Sequence, residues 1–580
     1  MAEPAAAAKS GRSYGSASQP CPLKGDADVK VMVGNESNRP LDGIVLRVTD
    51  ANGASTKQTT MKGGVAAFRG LCAGDATLTT DLDAEQAKAY QPLSVPVTIA
   101  KGTPAKTVLK LKRTELAPRM VPLVDGPEIY AAIGKAISGA QEFVYLTAWL
   151  LNLNVSLGGK SLRELLVAKA REGVKVRILW CDLDIVMGHV DPGMENIEAV
   201  EAKGLTNADK SHNIDVFVTQ MHDLSPWGEA LQGLATRYEN RPVIIGSHHQ
   251  KTVVVDGRIA FCSGCDVTAD AARSSNWHDA SIMLEGPCAR GVEENFVERW
   301  NAEAEGKASL TVRNTGTPPS TCQVIRTMPG WGFATKTEIK DAYLDAIAGA
   351  SKNIYLENQY LRHAEIGAAL VDAAKRGVQV EIVLPQLPEE APAGGKKIGI
   401  ETRLGIYAQY KVLKPLSDLK VTIRSPRERK PYVHAKLMIV DERLTLIGSA
   451  NGNGRSMNAK ADSEIDVKVD DPDFAAALRE KLRKSPAAAD LVPHDVVREE
   501  TISRITAAEI SAIVTAATPP APPPAPSGGG IGGWFVEQGR KVEQTFNELK
   551  SSSQTKIASL LVGTPAECRD RLVDAASDFL

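Results

Sequence analysis

The sequence predicts an α/β protein of two duplicated α/β lobes, with a small β-sandwich before them and a helical tail after them. Three observations support this prediction. The 580 residues exceed what one hydrophobic core usually holds, so several domains are expected. Helix and strand patterns alternate from about residue 116 to residue 500, and the same phrases occur twice. The stretch before residue 116 is rich in Val, Thr and Gly and shows the alternation of short strands.

The composition is that of an ordinary globular protein and excludes a mostly disordered chain. Apolar residues make up 43% and charged residues 24%, and 68 Lys and Arg against 70 Asp and Glu leave a formal charge of −2. This balance offers no bulk positive field, so no nucleic-acid partner is expected. The apolar runs are shorter than the roughly 18–20 residues that span a bilayer, and the N-terminus lacks a signal-peptide core. We therefore expect a protein that is cytoplasmic as made.

The chain is expected to start with a disordered lead at 1–20, followed by the β-sandwich at 21–115. Short alternating runs such as VKVMVG and ATLTTDL are separated by turn residues, for example the Asp-Ala-Asn-Gly at 50–53. This segment resembles prealbumin-like or bacterial immunoglobulin-like accessory modules. Cys21 and Cys72 can form a bridge or stay as thiols, and the absence of an export signal favours free thiols.

Two lobes of one plan are predicted at 116–315 and 316–500. In the first, LRELLVAKAREGV leads into KVRILWCDL, and in the second, IGAALVDAAKRGV leads into QVEIVLP. The alternation of helix and strand patterns predicts a largely parallel sheet covered by helices. The matching phrases indicate an internal duplication.

A linker and a tail follow the lobes. Residues 501–533 are predicted to be an Ala/Pro/Gly linker that includes TPPAPPPAPSGGGIGG, a stiff proline run before flexible glycines. Residues 534–580 are predicted to be a helical tail with an amphipathic pattern. The sequence leaves two roles open for this tail, which are docking a partner and packing on its own protein.

A repeated motif carries the chemical signal. Two segments share the spacing His-x-Lys-x4-Asp, namely His249, Lys251 and Asp256 in the first lobe, and His434, Lys436 and Asp441 in the second. The equivalence continues at equal offsets beyond each motif with Asp266 and Asn451, Asp279 and Glu464, and Ser263-Gly264 and Gly448-Ser449. So many matched offsets make coincidence a poor explanation.

The residue types of the motif suit phosphoryl chemistry. His and Lys two residues apart on a strand project from one face. Two such strands brought together would gather two imidazoles and two ammonium groups around one phosphoryl group. One His can attack phosphorus while the other donates a proton to the leaving oxygen, and Asp279 and Glu464 are placed to orient the imidazoles. No metal or other cofactor is expected, because the carboxylates lack ligand spacing and the lysines repel divalent cations.

These segments resemble the phospholipase D superfamily with two HKD motifs. The similar stretches are SHHQKTVVVDG (247–257), NWHDASIMLEGP (276–287) and PYVHAKLMIVDERLTLIGSANGNGRSM (431–457). The resemblance covers about residues 120–475. It implies hydrolysis of the head-group phosphodiester of glycerophospholipids to phosphatidic acid at a membrane surface, through a phosphohistidine intermediate and without a cofactor.

The resemblance also implies a role for each matched residue. His249 would be the nucleophile, and His434 the general acid and later the base, although the residues alone leave the two histidines equivalent. Asp256 and Asp441 complete the catalytic motifs and are expected to anchor strand and loop rather than to touch substrate. The phosphate-binding set that it implies is Lys251, Lys436, Asp266, Ser449 and Asn451.

Some residues near the motifs have open interpretations. His248 and His278 adjoin site residues and are interpreted as supporting or packed side chains. The Glu-Asn-Gln at 357–359 could reach the mouth of the site or satisfy backbone groups. Trp227 and Trp331 could enter a lipid interface or be buried.

Alternative functions also stay open. The superfamily includes nucleases and transphosphatidylases, and the near-neutral charge counts against a nuclease. The missing membrane-spanning segments count against a role like that of cardiolipin synthase. The layout of a leaderless lipase with accessory module, hinge and tail resembles type VI secretion effectors. It implies an antibacterial toxin that acts in the periplasm or on the membrane of a target cell, with an immunity or secretion-machinery protein as partner.

Overall fold

The protein is described by a computed structural model. It describes residues 27–35, 40–102, 105–112, 116–181, 197–209, 211–219, 222–223, 245–304, 306–331, 333–389, 391, 398–509, 564–575 and 577. The chain divides into two compact units, Met1–Glu115 and Leu116–Leu580. The predicted lead, most of the predicted linker, the first part of the predicted tail and Trp227 lie outside the described residues.

The first unit is a β-sandwich. Its elements are β1 (Ala27–Asn35), β2 (Val45–Thr49), β3 (Ser55–Thr59), β4 (Val65–Leu71), β5 (Gly74–Asp81), β6 (Ser94–Ile99), β7 (Ala105–Leu111) and helix α1 (Ala84–Ala89). One sheet has the order β4-β1-β7 and the other β3-β2-β5-β6. Buried and less buried side chains alternate along β2 and β5, and Leu46, Phe68 and Leu78 are fully buried in the core.

The turn at 50–53 and a disulfide organise the edge of this sandwich. The Asp50 carboxylate accepts hydrogen bonds from the backbone N–H groups of Asn52 and Ala54, both at 3.0 Å, and Gly53 takes the positive φ of 81° that the turn requires. Cys72 directly follows β4 and is disulfide-bonded, with a partner outside the described residues. The free-thiol interpretation is therefore wrong for Cys72, and the bond adds a covalent constraint to the module.

The first lobe is built around a mixed seven-stranded sheet. The strands of the lobe, seven of which form this sheet, are β8 (Arg119–Val124), β9 (Phe143–Ala148), β10 (Lys175–Cys181), β11 (Ile214–Thr219), β12 (His222–Asp223), β13 (Ile245–His248), β14 (Thr252–Val255), β15 (Ile259–Ser263), β16 (Trp277–His278) and β17 (Ala280–Glu285). Its helices are α2 (Gly126–Ser138), α3 (Leu162–Arg171), α4 (Ile197–Ala208) and α5 (Arg290–Glu303). The sheet order is β11-β10-β9-β14-β15-β17-β8.

The second lobe repeats this plan. Its strands are β18 (Cys322–Met328), β19 (Lys336–Thr337), β20 (Asn353–Glu357), β21 (Gln379–Val383), β22 (Thr422–Pro426), β23 (Tyr432–Val433), β24 (Leu437–Val440), β25 (Leu444–Gly448), β26 (Asp462–Asp470) and β27 (Leu491–Pro493). Its helices are α6 (Glu338–Gly349), α7 (Ala364–Lys375), α8 (Ile400–Asp418), α9 (Gly454–Met457), α10 (Pro472–Lys484) and α11 (Val496–Ile502). The order β22-β21-β20-β24-β25-β26-β18 matches that of the first lobe strand for strand.

A minority of the described strand pairings in each sheet is parallel, whereas the sequence pattern predicts a largely parallel sheet. Strands β9, β10 and β11 are parallel, but β14, β15, β17 and β8 run antiparallel to their neighbours. The reason is local, because each motif ends in a tight turn at Asp256 or Asp441. Short turns of this kind join antiparallel strands, since parallel strands need a long crossover. The α/β class with two duplicated lobes is nevertheless confirmed.

The described part of the tail packs on the second lobe. Helix α12 (Pro565–Ala575) lies against α8, where the Tyr407 hydroxyl donates to Asp570 at 2.7 Å and Cys568 is fully buried. The boundary predicted at residue 500 falls inside α11, and Glu509 pairs with Arg403 of α8 at 2.7 Å. The first residues assigned to the linker therefore belong to the lobe. Across the described ranges, no helix is long and apolar enough to cross a membrane.

Candidate active site

Each motif histidine lies where the chain crosses from one lobe to the other. Strand β13, just before His249, pairs with β26 of the second lobe, and the His249 N–H donates to the Ser463 carbonyl at 3.0 Å. Strand β23, just before His434, pairs with β16 of the first lobe, and the His434 N–H donates to the His278 carbonyl at 2.8 Å. The His-x-Lys segments therefore occupy links between short strands, not strand interiors as the spacing predicts.

The imidazoles are held crosswise by acids of the opposite lobes. His249 Nδ1 lies 2.9 Å from Glu464 Oε1, and His434 Nδ1 lies 2.6 Å from Asp279 Oδ2. Each acid directly follows the residue whose carbonyl accepts the histidine N–H. Backbone and side chain of each histidine are thus positioned by one short segment of the other lobe, and neither lobe holds a complete site.

Burial dominates the electrostatics of these pairs. It lowers the pKa of His249 and of His434 well below the usual value, and the ammonium groups of Lys251 and Lys436 lower them further. Burial raises the pKa of Asp279 to about 7 and that of Glu464 to about 8. Burial thus favours the neutral form of both imidazoles.

Glu464 has two further donors. The Ser449 hydroxyl lies 2.5 Å from Glu464 Oε2, and the Ser456 hydroxyl lies 2.6 Å from Oε1. Both hydrogen bonds lower the pKa of Glu464 against the effect of burial, so they favour the carboxylate form. Ser449 is fully buried. Ser449 therefore supports Glu464, and its predicted substrate contact stays a prediction. Ser456 has the same supporting role, which the sequence analysis missed.

Each motif lysine donates to the carbonyl of its own motif histidine, and only the remaining neighbours differ. Lys251 Nζ donates to the His249 carbonyl at 2.8 Å and lies 3.6 Å from Asp266 Oδ2. Lys436 Nζ donates to Gln359 Oε1 at 3.1 Å. Burial lowers the pKa of Lys436 to about 8. Both ammonium groups are thus buried beside a motif histidine, as a phosphate-binding role requires.

Asp266 and Asn451 each keep one side-chain oxygen without a hydrogen bond from the described residues. Asp266 Oδ1 accepts from the Leu150 N–H at 2.9 Å, and its Oδ2 has only the longer contact with Lys251. Asn451 is buried just beyond β25. No side-chain contact between described residues joins Asn451 to either motif histidine, so its predicted phosphate contact stays a prediction.

The glycines of the matched turns leave room for acids. A Cβ on Gly264 would lie 2.4 Å from Asp279 Oδ1, and a Cβ on Gly448 would lie 2.2 Å from Asp466 Oδ1. Any side chain at Gly264 would therefore displace the carboxylate that orients His434. The two glycines stand at neighbouring rather than equal offsets, and Ser449, which occupies the position of Gly264, donates to Glu464 instead.

Asp256 and Asp441 anchor the strands beside the motifs. Both have positive φ, 58° and 54°, which Asp tolerates better than most residues. Asp256 accepts the backbone N–H groups of residues 141–143 at 2.7–2.8 Å, at the start of β9. Asp441 accepts those of residues 351–353 at 2.7–3.0 Å, at the start of β20. Their carboxylates are thus used within the scaffold, in line with the anchoring role expected for them.

A buried ion network below His434 escaped the sequence analysis. His278 Nδ1 lies 2.7 Å from Asp125 Oδ1, and its Nε2 lies 2.8 Å from Glu357 Oε2. Burial opposes the charge of His278, but Glu357 and Asp125 outweigh it and raise its pKa to about 10. The position next to Asp279 was the available signal. The partners come from distant segments, and no spacing in the sequence points to them.

The other open residues divide between lining and support. Gln359 contacts Lys436, whereas Asn358 Oδ1 accepts the backbone N–H groups of Tyr360 and Gly452 at 3.1 and 3.0 Å. His248 Nδ1 lies 2.7 Å from the Ser463 hydroxyl, and the Trp331 ring packs edge-on against His248 with centroids 5.3 Å apart. Trp331 is thus half-buried, with one side of its ring packed on His248.

Two tryptophans flank the histidines. Trp277 stacks on His434 with ring centroids 4.2 Å apart and planes at 23°, whereas Trp149 meets His249 at 68° with centroids 5.3 Å apart. Neither was a candidate from sequence, although Trp277 lies two residues before Asp279. The site therefore has two walls of different aromatic geometry.

Comparisons with known proteins agree with this architecture. Residues 343–485, which hold the second motif and Glu464, match the profile of a family described as "Cardiolipin synthase, PLD-like domain". Cardiolipin synthase A of Pseudomonas putida (strain W619) is 26% identical over 392 residues, which cover 66% of this chain and 72% of that protein. The second lobe thus matches a phospholipase D-like profile, and the chain resembles members of the phospholipase D superfamily.

Further relatives show the same similarity. Cardiolipin synthase A of Pseudomonas entomophila (strain L48) is 27% identical over 369 residues, 62% of this chain and 67% of that protein. The solved phosphatidylserine synthase of Haemophilus influenzae Rd KW20 covers 68% of this chain and 94% of its own, with a TM-score of 0.50 and 13% identity, and so shares the fold. The resemblance to the phospholipase D superfamily is confirmed. These relatives do not support the sequence argument against a role like that of cardiolipin synthase.

Proposed function

We propose that this protein is a phospholipid phosphodiesterase that moves a phosphatidyl group from its head-group alcohol to a second alcohol or to water. The observation that carries the proposal is the crosswise pairing of His249 with Glu464 and of His434 with Asp279, beside two buried lysines. Two neutral imidazoles with oriented tautomers and two ammonium groups suit a substrate with one phosphate and two ester bonds.

In the first step, His249 Nε2 attacks phosphorus while the bond to the head-group oxygen breaks. His434 donates its Nε2 proton to that oxygen, which leaves a phosphohistidine and a free alcohol. In the second step, the acceptor hydroxyl gives its proton to His434, attacks phosphorus and releases His249. The choice of His249 as nucleophile follows the superfamily resemblance.

His434 must be protonated to act first as an acid, although its pKa is low in the free protein. Burial lowers this pKa, and Lys436 and Lys251 lower it further. A phosphodiester anion bound between the lysines opposes their effect and attracts the imidazolium, so substrate binding itself favours the acid form. Protonation would then be coupled to the presence of a substrate.

The names of the similar proteins favour an alcohol over water as acceptor. Cardiolipin synthase and phosphatidylserine synthase are both named for phospholipid products. Transfer to an alcohol is therefore our first expectation, and hydrolysis to phosphatidic acid is the second candidate reaction. The second half-reaction is the same chemically, since water and an alcohol both offer a hydroxyl to His434.

Vesicles of phosphatidylglycerol, phosphatidylethanolamine or phosphatidylcholine, with and without added glycerol, test the proposal. Mass spectrometry of the lipids distinguishes new diesters from phosphatidic acid, and plasmid DNA in a parallel reaction tests the nuclease alternative. We expect transfer products that His249→Ala and His434→Ala both abolish. Turnover of DNA alone, or lipid turnover that survives both substitutions, would contradict the proposal.

The antibacterial effector role is a further proposal about the whole chain. It is supported by the accessory module and by the disulfide at Cys72, because disulfides persist in oxidising compartments. Targeting the protein to the periplasm of a test bacterium should be toxic, and His434→Ala should remove the toxicity. An immunity or secretion-machinery partner would then be sought by co-purification, and equal toxicity of both forms would reject the role.

A further inference from the structure

Trp149 occupies in the first lobe the position that Gln359 holds in the second. In the first lobe, Thr252 follows Lys251 and pairs with Thr147, two residues before Trp149. In the second lobe, Leu437 follows Lys436 and pairs with Glu357, two residues before Gln359. Gln359 Oε1 lies 3.1 Å from Lys436 Nζ, and Lys251 Nζ lies 5.4 Å from the centre of the Trp149 ring. The duplication therefore puts an amide beside one lysine and an indole beside the other.

The two side chains differ in how their polar atoms are used. Gln359 is satisfied at both ends, because its Oε1 accepts from Lys436 and its Nε2 donates to the Tyr360 hydroxyl at 3.1 Å. The Trp149 Nε1 is buried and has no acceptor anywhere in the described ranges. A buried donor without a partner costs about 1–3 kcal/mol, and native structures satisfy nearly all such groups. The indole N–H is thus available to donate a hydrogen bond to a ligand.

This donor lies on the His249 side of the site. The Trp149 and His249 ring centroids are 5.3 Å apart with planes at 68°, and Trp149 is only half-buried, so part of its surface is exposed beside His249. Lys251 Nζ lies over the face of the same indole, whereas the indole N–H lies at the edge of the ring, in the ring plane. The ammonium group and the indole N–H can therefore act on one anion together.

We propose that Trp149 is a further substrate-binding residue, whose indole N–H donates to an oxygen of the substrate phosphodiester on the His249 side. The inference rests on the proposed function and deepens it by adding one neutral donor to the two lysines. The lobes then hold the phosphate unequally, with a free indole donor in the first and a satisfied amide in the second.

Inorganic phosphate provides a direct test with the full chain. Trp149→Phe keeps an aromatic ring and removes the N–H, and it assigns the Trp149 indole signal in ¹H–¹⁵N spectra by its loss. We expect a saturable downfield shift of that indole proton as phosphate is added, and roughly 10-fold weaker phosphate binding in the variant. No saturable shift of this signal, or unchanged phosphate affinity in the variant, overturns the inference.

Trp300→Phe is the matched control. The Trp300 N–H donates to the Ala308 carbonyl at 3.1 Å, so its loss should lower the melting temperature and leave phosphate affinity unchanged. If Trp149→Phe does not fold, Trp149→Tyr supplies the assignment. On phospholipid, Trp149→Phe should lower kcat/KM about 10-fold, mainly through KM. Phosphate binding needs no turnover, so failure of the proposed function and failure of this inference give different results.

Discussion

The two lobes share a scaffold but surround their histidines differently. Strand order, crosswise carboxylates and positive-φ aspartates correspond position by position. Around His249 stand a carboxylate with two serine donors and the edge of an indole. Around His434 stand Asp279, which has no serine donor in the described contacts, and the stacked face of Trp277.

This difference separates two chemical tasks that the repeated motif leaves equivalent. Glu464, with hydroxyl donors on both oxygens, is suited to hold His249 as a neutral base with Nε2 free. An aromatic face stabilises a stacked cation, so Trp277 favours His434 when it carries a proton. Duplication thus supplies two similar backbone scaffolds, and the side chains around each histidine decide whether its neutral or its protonated form is stabilised.

The largest expected effect comes from removing either histidine. His249→Ala and His434→Ala should each lower kcat for a natural phospholipid by about 10⁴-fold or more. The two losses should differ when the leaving group changes, because a p-nitrophenol ester needs no protonation to depart. We expect that such a substrate restores a burst of p-nitrophenol in His434→Ala but not in His249→Ala, measured by rapid-mixing absorbance.

The contrary pattern would reverse the assignment. Rescue of His249→Ala alone would make His434 the nucleophile, and equal rescue of both would show that the neighbours do not separate the tasks. Circular dichroism and melting temperature provide the folding control, since both histidines are buried.

The next effect concerns the orienting acids. Glu464→Gln and Asp279→Asn keep size but remove the charge, and each should lower kcat by about 10²–10⁴-fold, as in other carboxylate–histidine pairs. Steady-state kinetics on phosphatidylglycerol vesicles measures this. If the lobes differ as described, the p-nitrophenol ester should restore Asp279→Asn more than Glu464→Gln. Equal recovery would contradict the comparison.

The sequence predicts the repeated frame well, because equal offsets from each His identify equivalent positions without any structure. It predicts Asp279 and Glu464 as histidine partners, but not that each crosses to the other lobe. That exchange depends on the two-residue strand β16 and the short β13, which are too brief to carry a periodic pattern. The Asp125–His278–Glu357 network joins three distant segments, so only tertiary structure reveals it.

A smaller effect is expected from the serine donors. In the wild type, activity should rise with pH as Glu464 ionises, with a pKa of about 8, and fall as Lys436, with a pKa of about 8, loses its proton. Ser456→Ala removes a donor that lowers the Glu464 pKa, so the acid limb should move to higher pH and kcat should fall about 10-fold. The pH profile of kcat/KM measures this, and an unmoved acid limb would contradict it. Ser485→Ala, which removes a hydroxyl from Asp125 instead, is the control.

The smallest effect on catalysis is expected from substitutions of the motif aspartates. These substitutions test the scaffold of each lobe and leave the neighbours of the histidines unchanged. Asp256→Asn and Asp441→Asn keep a residue that tolerates positive φ but weaken several charge-assisted hydrogen bonds. Each should lower the free energy of unfolding by about 1–3 kcal/mol in urea titrations, with kcat nearly unchanged. The loss should be larger for Asp256, which is only 8% exposed, than for the more exposed Asp441.

For Asp441 the pH dependence of stability provides an independent check. Burial alone would raise its pKa, but hydrogen bonds from the Ser351 hydroxyl and from three backbone N–H groups lower it to about 2 from the usual 3.8. A lowered carboxyl pKa stabilises the fold above 3.8, and this contribution is lost as the pH falls towards 2. Asp441→Asn should remove that part of the acid sensitivity. A large loss of kcat in either variant would show instead that these aspartates act on the reacting groups, and that the lobes differ in more than the neighbours of their histidines.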